Sequence, residues 1–372
     1  MFILANVTLM LSFLLHCTFV LLVIMSCRAN NKLMDGFICI LLLSFYVFLI
    51  CTRYGYGVDE PTYKAAYESY LMDSSSFEFD YSFRFIYYLF SIVGIDAVDF
   101  NNFICIVYIS FSLIVVVFTV NSPYRSLVLL FLIFNSVSLD FIFNGYRQGF
   151  SFLAIVLAVY LYEKNRILYS FLFCIIGIGF HWTAVLVLIF YLLARVLKNS
   201  FSERFLKLVV VFIICISFVV FIIPPGINVA INDFISSFGL SGKYVKKVNI
   251  YLSLEKGSLY ELNFFGRFPL FVNVVITLFF VWYNISNIPK SIVLFVIMLF
   301  LYGILFIDMA FSFRNFYWVN PLLPFLIGNS LRHQQNNGVN TNSLVVLYCG
   351  LHVIISVVTY YTSAITDMVF VG

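Results

Sequence analysis

Charge is what this chain has least of. Only 10% of its 372 residues are Asp, Glu, Lys or Arg, while 63% are hydrophobic. Soluble domains carry about 25% charged residues, so the shortage excludes an ordinary soluble enzyme and indicates an integral membrane protein. The length leaves room for one membrane domain, 1–372, without a large soluble one, and no nucleic-acid partner is expected. Paired cysteines are missing too. Cys17, Cys27, Cys39, Cys51, Cys105, Cys174, Cys215 and Cys349 all lie in or beside apolar runs, which excludes a disulfide framework and a metal-ligand spacing. There is no P-loop, no GxSxG, no HExxH and no convincing acidic metal pair, so neither a metal nor a cofactor is expected. The first residues lack the basic start of a cleavable signal, and their apolar run is long enough to span, so they are expected to form the first transmembrane helix.

What the chain has in abundance is long apolar runs. About 20 helical residues cross ~30 Å of hydrocarbon. Runs near 4–27, 37–52, 100–120, 126–140, 149–162, 167–180, 183–197, 207–223, 268–286, 291–311, 315–330 and 344–361 predict an all-α polytopic membrane protein of about twelve transmembrane helices, some short or hairpin-like. One set of connecting loops holds Arg28, Lys32, Arg125, Lys164, Arg166, Arg195, Lys198, Arg204, Lys207, Lys290 and Arg332 against only Asp35, Glu163 and Glu203. The basic side is therefore expected to be cytoplasmic, with both termini outside. Because 163–166 and 195–207 are both basic, the chain between them has to cross twice in about 28 residues, or ~21 Å per crossing at 1.5 Å per residue. That predicts two half-length helices with His181 at a recessed tip.

Two loops on the opposite side are long. The first, 53–99, carries Arg53, Asp59, Glu60, Glu68, Asp73, Glu78, Asp80, Arg84, Asp96 and Asp99. Within it Phe83, Ile86, Tyr87, Phe90 and Val93 recur at helical spacing, which suits a helix lying on the membrane surface. The second, 224–266, runs from Pro224-Pro225-Gly226 through Gly239, Gly242, Lys243, Lys246 and Lys247; a loop of that length is often a lid or substrate-binding segment.

Two polar knots interrupt the apolar runs. Asp140-Phe-Ile-Phe-Asn-Gly-Tyr-Arg-Gln-Gly-Phe150 gathers a carboxylate, an amide, two glycines, a tyrosine and an arginine, and His181-Trp182-Thr183 follows about 30 residues later. Arginine also recurs beside aromatic residues at the outer edge, at Arg84, Arg147, Arg267 and Arg314. Snorkelling to headgroups explains any one of them. Three that end outward-going helices suggest a shared anionic ligand, because a guanidinium keeps its charge and offers paired donors to phosphate oxygens. Asp308, two turns before Arg314, is a candidate ion-pair partner for it. His181 is as readily a satisfied buried histidine as a catalytic one.

These residues carry a resemblance. Arg53-Tyr-Gly-Tyr-Gly-Val-Asp59 followed by Tyr63 is similar to the R-x-G-x-G-x-D-x-x-x-Y opening of the Wzy-type polysaccharide polymerases, in particular their EpsG-like branch. Asp80-Tyr-Ser-Phe83 stands where that family usually has E-x-G-[FY], with Asp for Glu and Ser for Gly. Arg147-Gln-Gly149, Phe180-His181 and Arg314 followed by Tyr317 continue the series. The resemblance implies a glycosyltransferase of the bacterial inner membrane, working at its periplasmic face and transferring a growing glycan from undecaprenyl diphosphate to another lipid-linked repeat unit. O-antigen, capsule and exopolysaccharide polymerases are of this kind. It implies donor and acceptor lipid-linked oligosaccharides, the bilayer and a chain-length regulator as partners. Asp59, His181 and Asp140 are then the candidate catalytic residues, and Arg53, Tyr63, Asp80, Arg147, Gln148, Arg267 and Arg314 the candidate substrate contacts. Asp59 leads as base by resemblance, His181 by its apolar surroundings.

A flippase for the same lipid-linked sugars is an alternative, although the polar residues crowd one side and no internal repeat is visible. A membrane O-acyltransferase using His181 is another, but it lacks an evident route for a cytoplasmic acyl donor. The charge asymmetry is testable directly. After removal of the native cysteines, a cysteine placed at Ser75 should react with an impermeant thiol reagent added outside, and cysteines at Asn165 and Ser200 should not; outside labelling at position 200 would exclude the double crossing of 167–194.

Overall fold

The computed structural model describes residues 2–53, 55–75, 80–223, 226–237, 264–307 and 312–362. Among them every regular element is helical, as the apolar runs required. The helices in order are α1 (Phe2–Ala29), α2 (Lys32–Thr52), α3 (Glu60–Met72), α4 (Tyr81–Val93), α5 (Phe100–Thr119), α6 (Arg125–Ile133), α7 (Ser136–Phe143), α8 (Tyr146–Glu163), α9 (Ile167–Phe180), α10 (Ala184–Leu197), α11 (Glu203–Ile222), α12 (Ile227–Ser237), α13 (Phe264–Tyr283), α14 (Lys290–Leu305), α15 (Leu323–Asn336) and α16 (Asn342–Thr362). Tight 3-10 turns cover Ser312–Trp318 and Asn320–Leu322. Two compact units form, Met1–Leu188 with Pro324–Gly372, and Ile189–Leu323.

The described helices differ from twelve uniform spans. Lys32–Thr52, Phe100–Thr119 and Glu203–Ile222 are long and apolar enough to cross a membrane, and a fourth crossing exists if the broken pair α6–α7, bent by 74°, counts as one span. Phe13–Ala29, Ile167–Phe180, Ala184–Leu197, Leu270–Tyr283, Lys290–Leu305 and Asn342–Ile354 are apolar but only 10–17 residues long. The run 126–140 is not one helix, because it breaks at Phe134–Asn135. The run 315–330 is not one span either: it is 3-10 turns followed by α15, where Asn329, Arg332, His333, Gln334 and Gln335 dilute the apolar residues. Of the second long loop, Pro224, Pro225, Gly239, Gly242, Lys243, Lys246 and Lys247 lie outside the described residues, as does Asp308; α12 is its described helix.

The first unit is built around α8, which packs along α5, α7 and α9. Gln148 through Ile155 are all buried, as are Leu157 and Ala158, the pattern of a helix enclosed by protein on every side. On its outer flank, α4 covers α9 and touches α3. It buries Phe83, Ile86, Tyr87 and Phe90, the face its spacing marked, whereas Val93 is exposed. Gly94, at φ +79°, takes the left-handed turn that ends α4 and returns its N–H to the Phe90 and Ser91 carbonyls.

The broken segment shows how polar groups are satisfied in such a chain. A helix end leaves orphan N–H and C=O groups, and buried ones need partners inside the protein. Asn135 serves both sides of the α6–α7 break. Its Nδ2 donates to the Phe131 and Leu132 carbonyls, each at 2.9 Å, and its Oδ1 accepts from the Ser138 N–H at 2.9 Å. Tyr46 from α2 donates its hydroxyl to the Ile133 carbonyl. At the other end of α6, the buried Asp35 accepts from the Ser126 N–H at 2.9 Å and the Ser126 hydroxyl at 2.7 Å. The imidazoles of His16 and His352 meet at 3.0 Å between Nε2 atoms and stack on Phe134 and Phe131.

Asp35 thus caps a helix that is not its own. Asp35→Ala removes the acceptor from two buried donors and should cost about 1–3 kcal/mol of stability. Asp35→Asn, which keeps an acceptor oxygen, should cost less. Thermal unfolding of the purified variants in one detergent measures the order; equal melting temperatures for wild type and Asp35→Ala would contradict the capping role.

Candidate active site

The first knot is a local structure with a stated cause. α7 ends where the Asp140 carbonyl accepts the N–H groups of Asn144 at 2.8 Å and Gly145 at 2.6 Å. The Asp140 carboxylate then accepts from Asn144 Nδ2 at 2.9 Å. This fixes the Asn144 amide so that its Oδ1 accepts the backbone N–H of Asp59 at 2.6 Å, across 85 positions of chain. Asp59 is the residue before α3, and its carboxylate does not cap that helix. Pro61 sits in the first turn of α3, where a missing N–H costs nothing.

Beside Asp59 lies another acid of the first long loop. Glu60 is fully buried. Its carboxylate accepts from Arg53 Nη1 at 2.7 and 3.0 Å, from the Gly57 N–H at 2.7 Å, and from the Tyr146 hydroxyl. Burial pushes the Glu60 carboxyl above its ordinary range, against the pull of Arg53, Tyr146 and Gly57, which all favour the charged form. Arg53, expected to face substrate, is instead enclosed, its side chain 3% exposed. Its Nε donates to Asn102 Oδ1 at 3.1 Å, and its guanidinium carbon lies 5.3 and 5.4 Å from the ring centres of Tyr56 and Phe143. Nearby, Asn101 Nδ2 donates to the Glu60 carbonyl at 3.2 Å.

Tyr63, one turn into α3, is buried between Phe83 of α4 and Tyr146 of α8, with ring centres at 5.4 and 5.0 Å. The next member of the series stands at the start of α4. Asp80 does not cap α4; its Oδ2 accepts from Arg147 Nη1 at 3.0 Å, and both side chains are about one-third exposed, at 30% and 29%. The Ser82 hydroxyl donates to the Ile176 carbonyl of α9 at 3.1 Å. Phe180, at the end of α9, stacks on Phe150 of α8 at 5.1 Å. His181 follows as the extended residue ending α9 and is half-buried, while Trp182 is 70% exposed. The backbone N–H of Thr183 donates to His181 Nδ1 at 3.3 Å, and the Thr183 hydroxyl lies 2.8 Å from the same atom. A backbone N–H can only donate, so Nδ1 accepts and the neutral ring carries its proton on Nε2.

Three residues that are distant in sequence, Asp59, Asp80 and Arg147, together with the Phe180-His181 pair, are thus tied to one end of the α8 layer. Asp140 belongs to the same group as the tether of Asn144. Gln148 is buried within α8. Two glycines fit tightly. A Cβ on Gly57 would lie 1.9 Å from the Phe143 carbonyl oxygen, and one on Gly149 would lie 2.8 Å from both Phe141 and Tyr108. Gly149 therefore approaches packed side chains.

Arg267 and Arg314 belong to the second unit. Arg267 is buried near the start of α13. Arg314 is half-buried in the 3-10 stretch, over the Phe313 ring at 5.9 Å, and Phe313 in turn meets Tyr317 at 5.6 Å. Among the described residues, no three His, Cys, Asp or Glu side chains gather to hold a metal ion.

The helical fold and the apolar helices define a membrane protein with a polar corner at the start of α8. Residues 36–370 match the model of the EpsG family, and the chain belongs to that family. Membership supports a polysaccharide-polymerase-like role. No curated protein and no solved structure matches the chain.

The fit at Gly57 is testable without substrate. Overpacking a filled site costs about 1–3 kcal/mol, so Gly57→Ala should lower the melting temperature in detergent measurably. Gly36→Ala, where an added Cβ meets nothing within 4 Å, should not lower it. Equal behaviour of the two variants would show that the Gly57–Phe143 contact does not hold.

Proposed function

We propose that this protein is a polymerase of lipid-linked oligosaccharides, acting at the periplasmic face of the inner membrane. Its family membership and the joining of Asp59, Asp80, Arg147 and Phe180-His181 at one corner support the reading; the Arg147–Asp80 pair carries it. An arginine one-third exposed and already oriented by a carboxylate is a ready clamp for a diphosphate.

In the reaction, the free sugar hydroxyl of an acceptor repeat unit attacks the anomeric carbon of the donor glycan. The hydroxyl proton passes to a base, the C–O bond to the diphosphate breaks, and undecaprenyl diphosphate leaves with that electron pair. Asp59 is the base we favour, since a base must offer an acceptor within hydrogen-bond reach and the acceptor nitrogen of His181 is already engaged by Thr183. His181 then orients sugar hydroxyls as a donor. Asp140 acts through Asn144, holding the segment that bears Asp59. Arg147 stabilises charge on the leaving diphosphate, a preorganised electrostatic contribution. Tyr63 and Gln148 are packed behind that corner, and Asp80 sets the angle of the guanidinium. Within the second unit, Arg267 and Arg314 are the proposed contacts for an anionic ligand.

Arg147→Lys separates this role from simple anchoring. Lysine also snorkels to headgroups, but it cannot offer two parallel donors. Losing a charge-assisted contact made in the transition state costs on the order of 3 kcal/mol, or roughly 100-fold in rate. Arg147→Lys should therefore abolish most polymer while the protein inserts and accumulates normally. Glycan length on gels, in a strain lacking the gene and carrying each variant, reads the result; normal length at matched protein level would remove the clamp.

A further inference from the structure

Glu60 is the one fully buried carboxylate among the described residues of the first outer loop, and the reaction above gives it no part. Its four hydrogen bonds come from three donors in separate places. Arg53 ends α2, Gly57 belongs to the loop before α3, and Tyr146 begins α8. Glu60 therefore joins the chain on both sides of Asp59 to the helix that carries Arg147 in its first turn. The adjacent Asp59 N–H is held separately by Asn144.

We infer that Glu60 is a positioning residue for Asp59, with Arg53 as its buried counter-charge rather than a substrate contact. The inference rests on the polymerase reading above. A carboxylate accepts from a guanidinium, an amide and a phenol at once without presenting a donor of its own, which suits a charged group to this place. The desolvation of Arg53 is compensated by the same pair, by Asn102 and by the Tyr56 and Phe143 rings. The guanidinium has already committed Nε and Nη1 within the protein.

The charge balance gives a test that a substrate-binding arginine would fail. Removing one partner of a buried ion pair strands the other, while neutralising both is often tolerated. Glu60→Gln strands Arg53 and loosens Asp59. Turnover on purified lipid-linked repeat units should fall about 10-fold or more, as expected for a base displaced by a fraction of an ångström, with KM changed by less than about twofold. The double variant Glu60→Gln with Arg53→Gln should recover turnover to within about threefold of wild type. Amide exchange of the 55–63 peptide, which contains the Gly57 and Asp59 N–H groups, should be faster in Glu60→Gln and slower again in the double variant.

A double variant no more active than the single, or a Glu60→Gln variant whose KM rises while turnover holds, would overturn the inference and return Arg53 to the substrate. Unchanged exchange in Glu60→Gln would also overturn it. If Glu60→Gln does not fold, the double variant, which carries no stranded charge, decides on turnover and exchange alone. A wild-type protein that makes no polymer would instead remove the polymerase reading, and the exchange comparison would still judge the tether.

Discussion

A carboxylate taken out of water has to find its donors inside the protein, or it will not stay charged. Much of the first unit near α3 follows from that constraint at Glu60. To satisfy one buried acid, the chain brings together the end of α2, the loop at Gly57 and the first residue of α8. The price is geometric: Gly57 has to be glycine because the loop runs against the Phe143 carbonyl. With those three points fixed, the first turn of α3 can go only where it does. Asp59 is then presented beside the Asp140–Asn144 knot, and Tyr63 is packed between Phe83 and Tyr146.

The same rule accounts for the other polar groups set among apolar helices. Asn135 satisfies two carbonyls and one N–H at the α6–α7 break, and Asp35 caps α6 from a neighbouring helix. In each case a single side chain stands in for the water that a soluble protein would use. The Arg147–Asp80 pair differs in kind. It is about one-third exposed, and under the proposed function an incoming diphosphate competes for the guanidinium. Burial thus separates two arginines of the first unit: Arg53 is enclosed, and Arg147 is about one-third exposed.

The family assignment and the geometry inform each other. The motif series read along the chain is discontinuous, with Arg53 to Tyr63, Asp80 to Phe83, Arg147 to Gly149 and Phe180-His181 separated by apolar helices. In the folded chain these pieces share contacts: Tyr63 with Phe83, Asp80 with Arg147, and Phe150 with Phe180. The serine at position 82, where the family usually has glycine, donates to the Ile176 carbonyl, and Gly179 is the residue that leaves it room. The departure is thereby accommodated within this chain.

By itself, the sequence determined the class of protein, the all-helical fold, both polar knots and the buried face of α4. These features depend on composition and on periodicity within a dozen residues, which a helix reads out locally. Helix breaks at 134–135 and 181–183 were half-legible: the second was marked by polar residues, while the first sits in a run whose hydropathy hides Asn135. Only the tertiary structure decided which acid of Asp59-Glu60 is buried, what Arg53 pairs with, and what holds Asp59. The bonds that hold Asp59 and tie Glu60 to α8 join residues 85 and 86 positions apart, and although Arg53 and Glu60 are only 7 apart, no local pattern specifies their pairing. A glutamate at the start of a polar helix looks solvated until the helix packed over it is known. Its burial depends on α5 and α8, and therefore on the fold as a whole.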